Sequence, residues 1–292
     1  MKLEKYSIIK ADPILFSKYY ATYRKNVWFR PSWNSLNEML SSSKDCYWAV
    51  IGNERVAGAY LPDESIGLLI SLPSHSITKQ LVHDLKEHIL NNTNSLDDLW
   101  AYNILPEQKS AFLEDGFVHV ETRECMIRPT EAMTLSLNEN FNYEIPCEQD
   151  IPLLVELLEE AFDHNSPDKK DKKTYTDETL SYFQQAEPEL LKTSTVIYNK
   201  NTKEMAGLCL VSLWEGLPLI YDIAVRPKYR RNGLASFMLD RAINMLEPIY
   251  PVVRLFVTTG NNAAQLYTKK GFLSGGKTST LKYNKNQEKT RY

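Results

Sequence analysis

Across its second half the chain reads Tyr221-Asp222-Ile223-Ala224-Val225-Arg226-Pro227-Lys228-Tyr229-Arg230-Arg231-Asn232-Gly233-Leu234-Ala235. A strand, a tight turn and the start of a helix follow one another there. The helix is signalled by Leu234, Phe237, Met238, Leu239, Ala242, Met245 and Leu246, which recur at helical spacing through 231–246. A turn of this kind aims several backbone N–H groups at one point in front of the helix N-terminus. Gly233 permits close backbone approach, and Ala235 keeps the helix start free of bulk. Arg230 and Arg231 add cations suited to phosphate oxygens. Together these residues describe a pyrophosphate cradle. Taken alone, so short a pattern is better read as an ordinary strand-to-helix turn with two surface arginines. The surroundings decide.

Downstream, Leu255-Phe256-Val257-Thr258 is a strand, followed by Thr259-Gly260-Asn261-Asn262-Ala263-Ala264-Gln265-Leu266-Tyr267-Thr268-Lys269-Lys270-Gly271-Phe272. Periodicity predicts further strands at 143–145, 195–198, 205–214 and 219–225, and a last one near 278–283. Helices are expected at 151–162, near 177–184 and at 263–270. That alternation gives an α/β fold of the α+β kind, a mixed sheet with helices on its faces. The run Lys169-Lys170-Asp171-Lys172-Lys173 reads as a solvated loop rather than a binding patch.

The same design occurs earlier in the chain. Trp48-Ala49-Val50-Ile51 and Arg55-Val56-Ala57-Gly58-Ala59 are two strands joined by a polar turn, as are Val196-Ile197-Tyr198 and Met205-Ala206-Gly207-Leu208. Leu72-Pro73 answers Val225-Arg226-Pro227, and Asp115-Gly116-Phe117 answers Lys270-Gly271-Phe272. The three landmarks keep their order at offsets of 149, 154 and 155. We therefore expect two tandem domains, 1–129 and 142–292, joined by a linker at 130–141.

A formal charge of −3, 43% hydrophobic and 24% charged residues describe a globular protein with no global pull toward nucleic acid or an anionic membrane. No apolar run approaches the roughly 20 residues that span a bilayer. The N-terminus lacks the apolar core of a signal peptide, so a cytoplasmic address is expected. Cys46, Cys125, Cys147 and Cys209 lie far apart, and His83 and His88 miss the one-turn spacing of a metal pair. No metal is expected.

The two motifs together resemble the GCN5-related N-acetyltransferase (GNAT) superfamily. Its coenzyme A motif, Val-x-Pro-x-x-Arg/Gln-x-x-Gly-x-Gly/Ala, matches Val225 to Ala235, and its second motif, Asn…Ala…Leu-Tyr-x-Lys-x-Gly-Phe, matches Asn261 to Phe272. The resemblance covers 221–272 at motif level and 142–283 as a fold. It implies two GNAT-like domains, each a central mixed sheet flanked by helices, and acetyl-CoA as co-substrate. It further implies that the amides of Arg231, Asn232, Gly233, Leu234 and Ala235, with Arg230 beside them, hold the pyrophosphate. Ile223, Ala224 and Val225 would pair with the pantetheine arm, and Asn261 would contact it. Tyr267 stands where the family often keeps the tyrosine that protonates the leaving thiolate; the alternative is an aromatic packed on the sheet. Asp222 is the candidate base, or else a strand-end carboxylate satisfied locally. Glu215 and the carboxylate of Tyr292 are weaker candidates.

The first half departs from this pattern. Aligned on the proline, Ser76 replaces Arg230, Lys79 replaces Gly233, and Phe112 stands near the place of Tyr267. We expect that half to have lost coenzyme A and to help shape the acceptor site. The reading is therefore an acetyltransferase with one working site and a small-molecule or peptide amine as acceptor. The loops 163–175 and 214–217 are expected to shape the acceptor pocket. A non-catalytic acyl-CoA-binding regulator and an aminoacyl or peptidyl transferase stay open beside it. The latter would call for a basic groove that the composition does not suggest. Oligomeric state is not legible.

Overall fold

The computed structural model describes residues 5–25, 32–62, 64–93, 98–162 and 169–284. The chain divides into two compact units, 1–124 with 275–292, and 125–274. The elements in chain order are β1 (Ser7–Lys10), α1 (Pro13–Tyr23), α2 (Trp33–Ser41), β2 (Cys46–Ile51), β3 (Glu54–Tyr60), β4 (Ser65–Ser71), α3 (Lys79–Asn92), β5 (Asp98–Ile104), α4 (Lys109–Glu114) and β6 (Val118–Pro129). They continue with β7 (Phe141–Glu144), α5 (Ile151–Ala161), α6 (Lys172–Gln185), α7 (Pro188–Leu191), β8 (Thr195–Asn199), β9 (Met205–Trp214), β10 (Leu217–Val225), α8 (Leu234–Leu246), β11 (Val252–Thr258), α9 (Ala263–Lys269) and β12 (Leu273–Asn284).

In the C-terminal unit the strands run in the order β6-β11-β10-β9-β8-β7. Neighbours pair antiparallel from β7 to β10, while β10 and β11 are parallel. Both faces are covered. On one, α8 lays Leu234, Phe237, Met238, Leu239, Ala242, Ile243 and Leu246 against Val253, Leu255 and Val257. On the other, Leu154, Val155 and Leu158 of α5 and Tyr175 and Tyr182 of α6 meet Leu208, Leu210 and Ala224. This is why the first seven residues of β9 are buried without alternation. Each such fully buried leucine contributes about 1.5–3 kcal/mol.

The N-terminal unit orders its strands β1-β2-β3-β4-β5-β12-β6, with α3 and α4 over one core and α1 over another. Its sixth strand comes from the far end of the chain. β12 pairs antiparallel with β5 (Leu281↔Ala101, Tyr283↔Leu99), and Leu281 and Tyr283 are buried in this unit's core. The chain thus changes unit near residue 124 and again near 274, where the sequence leads one to expect a single change at 130–141. Alternation identifies 278–283 as a strand, but it carries no information about which sheet edge receives it.

Two helix starts also differ from expectation. α6 begins at Lys172, five residues early, because Asp171 caps it by accepting the Thr174 N–H at 2.7 Å. Lys169 donates to Glu159 O at 2.6 Å, Lys170 pairs with Glu178 at 2.6 Å, and Lys172 lies 3.6 Å from Glu159. The lysine run therefore ties α5 to α6. α8 begins at Leu234 rather than 231, for a reason that belongs to the site. No helix among the described residues is long and apolar enough to cross a membrane.

Candidate functional site

β10 and β11 start as partners and then part. Their parallel register is Leu219↔Arg254 and Ile220↔Leu255, although the strands run on to Val225 and Thr258. At the same point the β9–β10 ladder shifts register between Ile220 and Asp222, leaving Tyr221 as an extra residue on β10. A bulge of this kind bends and twists its strand. It opens the edge of β10 facing β11, which has no strand partner from Tyr221 to Val225 among the described residues. The bulge also turns two consecutive side chains toward α6. Asp222 is cross-strand neighbour to Leu210, which belongs to the α5–α6 core. The Tyr221 ring lies 5.5 Å from that of Tyr182, and its hydroxyl donates to Glu178 O at 3.4 Å.

The cradle follows at once. After a single 3-10 turn at Pro227–Tyr229, Arg230 is extended, and Arg231 (φ 66°) and Gly233 (φ 77°) are left-handed. A helix cannot begin before two such residues are passed, hence the late start of α8. Arg231 in that region costs about 1–2 kcal/mol, and strain of this sort tends to collect at functional sites. Gly233 is the N-cap and no side chain caps the helix; a Cβ built on Gly233 meets nothing within 4 Å. Among the described residues, after Arg230, whose amide reaches Pro227 O at 3.2 Å, the next amide to find a backbone carbonyl is that of Phe237, on Gly233 O at 2.9 Å. The amides between the two are the unpaired donors of a helix start. Asn232 Nδ2 closes the loop on Tyr229 O and Arg230 O at 3.1 and 3.3 Å, and the buried side chain of Leu234 pins the helix to the core. Ala235, one residue on, is half-buried.

Arg230 points elsewhere than the motif suggests. Its guanidinium donates to Val225 O at 3.3 Å and to Ala161 O at the end of α5. Asn261 turns its Oδ1 onto the Ala263 N–H at 2.8 Å and starts α9. Tyr267 is buried in the α8-side core, edge-on to Phe272 at 6.1 Å. Glu215 sits in the β9–β10 turn, seven residues and on the order of 20 Å of strand from Asp222, so the structure does not bring it to the cradle. Tyr292 and residues 163–168 of the expected acceptor loop lie outside the described residues.

Sequence reasoning missed the bulge, Glu178 and Tyr182. Tyr182 is pushed up to about 12 by burial, and its hydroxyl lies 2.7 Å from Ser194 Oγ and donates to Val211 O at 3.2 Å. It is a scaffold phenol that stays protonated.

A parallel pair that splays at a bulge, followed by an uncapped helix, is the frame on which known proteins can be compared. The model of the acetyltransferase (GNAT) family matches residues 153–272. A GCN5-related N-acetyltransferase from Sphaerobacter thermophilus superposes with a TM-score of 0.66 at 16% identity, over 97% of each chain. The C-terminal unit carries a GNAT-family domain at 153–272, and the chain as a whole has the fold of solved GNAT proteins. Similar to it as well is a tandem GNAT protein from the clavulanic acid biosynthesis pathway, solved without acetyl-CoA (TM-score 0.62, 11% identity, 96% of this chain and 98% of that one). A GNAT-family acetyltransferase from Colwellia psychrerythraea covers 96% of this chain and 100% of its own, at TM-score 0.58 and 10% identity. No curated protein matches by sequence. At such identities the solved GNAT structures establish the fold, a tandem one, and the family match supports acyl transfer in general.

Proposed function

We propose that the protein moves an acetyl group from acetyl-CoA to a primary amine of a small molecule or peptide, in one site of the C-terminal unit. The observation that carries this is the uncapped, left-handed entry into α8 at the end of a strand that has separated from its parallel neighbour. Such a place offers amides for an anion and a strand edge for an extended arm, in line. In this reading the amides from Arg231 to Ala235 take the pyrophosphate, the edge from Ile223 to Val225 takes the pantetheine arm, and Asn261 contacts the same arm. An amide near Val225 polarises the thioester carbonyl.

The amine must lose a proton before it attacks, and Asp222, on the α6 face of the bulge, takes it directly or through a water. The nitrogen forms the new C–N bond, the C–S bond breaks, and the sulfur leaves with the electron pair. Tyr267 protonates it, and the proton shed by the new amide nitrogen restores the phenol. An ordinary phenol (pKa ~10) and thiol (~8.5) differ by about 1.5 units, so the transfer costs roughly 2 kcal/mol if it completes. A cytoplasmic setting suits acetyl-CoA as donor. The N-terminal unit is proposed to bind no coenzyme.

Titration of acetyl-CoA into the whole protein tests the frame: one equivalent is expected, and two would restore the N-terminal unit as a site. Thiol release is then measured across a panel of primary amines, for wild type and Tyr267→Phe. A variant that binds coenzyme normally but loses ~10²–10⁴-fold in rate supports the enzyme. Binding with no thiol release from any amine, in either protein, favours the regulator.

A further inference from the structure

The residue before the cradle's proline is, with Arg254, one of the two largest fully buried side chains among the described residues, and it is cationic. All three nitrogens of the Arg226 guanidinium are engaged. Nε donates to Met205 O at 2.8 Å, Nη2 to Glu156 Oε1 at 3.0 Å, and Nη1 pairs with Glu160. The Arg226 amide extends the β9–β10 ladder onto Ala206 O at 2.9 Å. Arg226 therefore joins three pieces: the strand end that leads to Val225, the start of β9, and α5. The next residues fasten the same turn on its other side. Lys228 Nζ lies 2.7 Å from Glu204 Oε2, to which the Tyr229 hydroxyl also donates at 2.7 Å. A few residues on, Arg230 closes a second tie to α5 at Ala161 O.

We infer that Arg226 is a positioning residue, which locks the coenzyme loop to α5 so that coenzyme occupancy and the acceptor-side helix are energetically coupled. The inference rests on the coenzyme reading of the cradle given above. α5 and α6 cover the face of β10 that carries Tyr221 and Asp222. A loop fixed to α5 at two points cannot settle around a pyrophosphate without α5 settling too, and coupling of this kind runs equally in both directions. Burial opposes the charge on Arg226, but the bonds from Glu160 and Glu156 outweigh it and raise the guanidinium above its usual range. It stays charged at every working pH. The two glutamates are about half exposed, so their replacement by glutamine changes the tie without opening the core.

The test compares wild type with Glu156→Gln/Glu160→Gln, full chain, using acetyl-CoA as the probe. Calorimetry gives Kd, and amide exchange of residues 151–161 is followed with and without coenzyme. We expect Kd to weaken about tenfold, a usual size for coupling between sites. We also expect the coenzyme-induced slowing of exchange in α5, present in wild type, to disappear. An unchanged Kd with the α5 response intact overturns the inference, even if the melting temperature falls, since that result describes scaffolding alone. Wild type that binds no acetyl-CoA is a different outcome, and it removes the coenzyme reading itself. Arg226→Lys supplies the second variant: one ammonium cannot serve both carboxylates and the carbonyl in the same geometry. Its Kd should fall between those of wild type and the double glutamine variant, and a Kd equal to wild type counts against the inference.

Discussion

The two units share a splayed strand pair and differ in what stands at its end. In the N-terminal unit the parallel register of β4 and β5 is Ser65↔Trp100 and Ile66↔Ala101; in the C-terminal unit it is Leu219↔Arg254 and Ile220↔Leu255. All four residues are displaced by 154 positions. β4 also carries a register shift against β3, near Leu68 with its φ of 45°. The opening machinery is thus repeated. The helix starts are not. α3 is capped by its own Thr78, whose hydroxyl accepts the Leu81 N–H at 3.2 Å, whereas α8 begins at Gly233 with no side-chain cap. One helix satisfies an orphan donor with its own cap and the other does not. A splayed sheet is therefore a property of the fold, and on the proposed reading coenzyme affinity belongs to the few residues that leave a helix N-terminus uncapped.

The largest expected effect breaks that contrast at its centre. Gly233→Glu places a non-glycine residue at φ 77° and a carboxylate among the donors meant for a pyrophosphate. Calorimetry should find acetyl-CoA binding lost by more than about 100-fold, since strain and like-charge repulsion add. Lys79→Glu, at the matching position of the N-terminal unit, should leave Kd as in wild type. Equal losses in the two variants would mean that both helix starts serve one ligand.

A second contrast lies one level deeper. Lys86 of α3 pairs with Asp115 at 3.0 Å, and Asp240 of α8 pairs with Lys270 at 2.6 Å. These positions correspond at offsets of 154 and 155, with the charges exchanged. The N-terminal pair is the more buried, at 4% and 6% exposure against 21% and 13% for Lys270 and Asp240. Lys86→Asp should therefore cost about 3–5 kcal/mol in chemical denaturation, the usual penalty of an uncompensated buried charge. Asp240→Lys should cost less, because solvent screens it. Lys86→Asp/Asp115→Lys, which gives the N-terminal unit the polarity of the other, should recover most of the loss. No recovery would show that Lys86 is held chiefly by Asp115 O and the Tyr283 ring, its other neighbours.

The cradle, the tandem repeat and most of the α8 face were legible because each is written in residue types at fixed spacing: a glycine, a proline and apolar positions at helical period, although Met245 is exposed and Ile243 takes the buried place. Tyr221 as a bulge was not legible. Nothing in Ile220-Tyr221-Asp222 differs from an ordinary strand, and the extra residue exists only relative to β9. The destination of β12 was hidden for the same reason. Arg226 fell on an unspecified position of the motif, and its partners Glu156 and Glu160 lie 70 and 66 residues away, on a helix whose exposed face looks generic. Local chemistry could be read directly; pairings across the fold could not.

The smallest predicted effect bears on whether uncapping alone makes a site. Thr78→Ala removes the hydroxyl that satisfies the Leu81 N–H, so it should cost about 1 kcal/mol of stability, the ordinary value of a helix N-cap. It exposes the same kind of donor that α8 presents. Yet the loop before it lacks the two left-handed residues near the helix start: of positions 72–78, only Ser74 has a positive φ, at 69°. Without that curvature the amides of α3 do not converge on one point. Acetyl-CoA stoichiometry should therefore stay at one equivalent in Thr78→Ala, and its melting curve should shift down by a few degrees, about 2–4 °C if the whole chain unfolds as a large unit. A second equivalent in that variant would place the whole difference between the units in a single hydroxyl, and would make the loop's conformation irrelevant to binding.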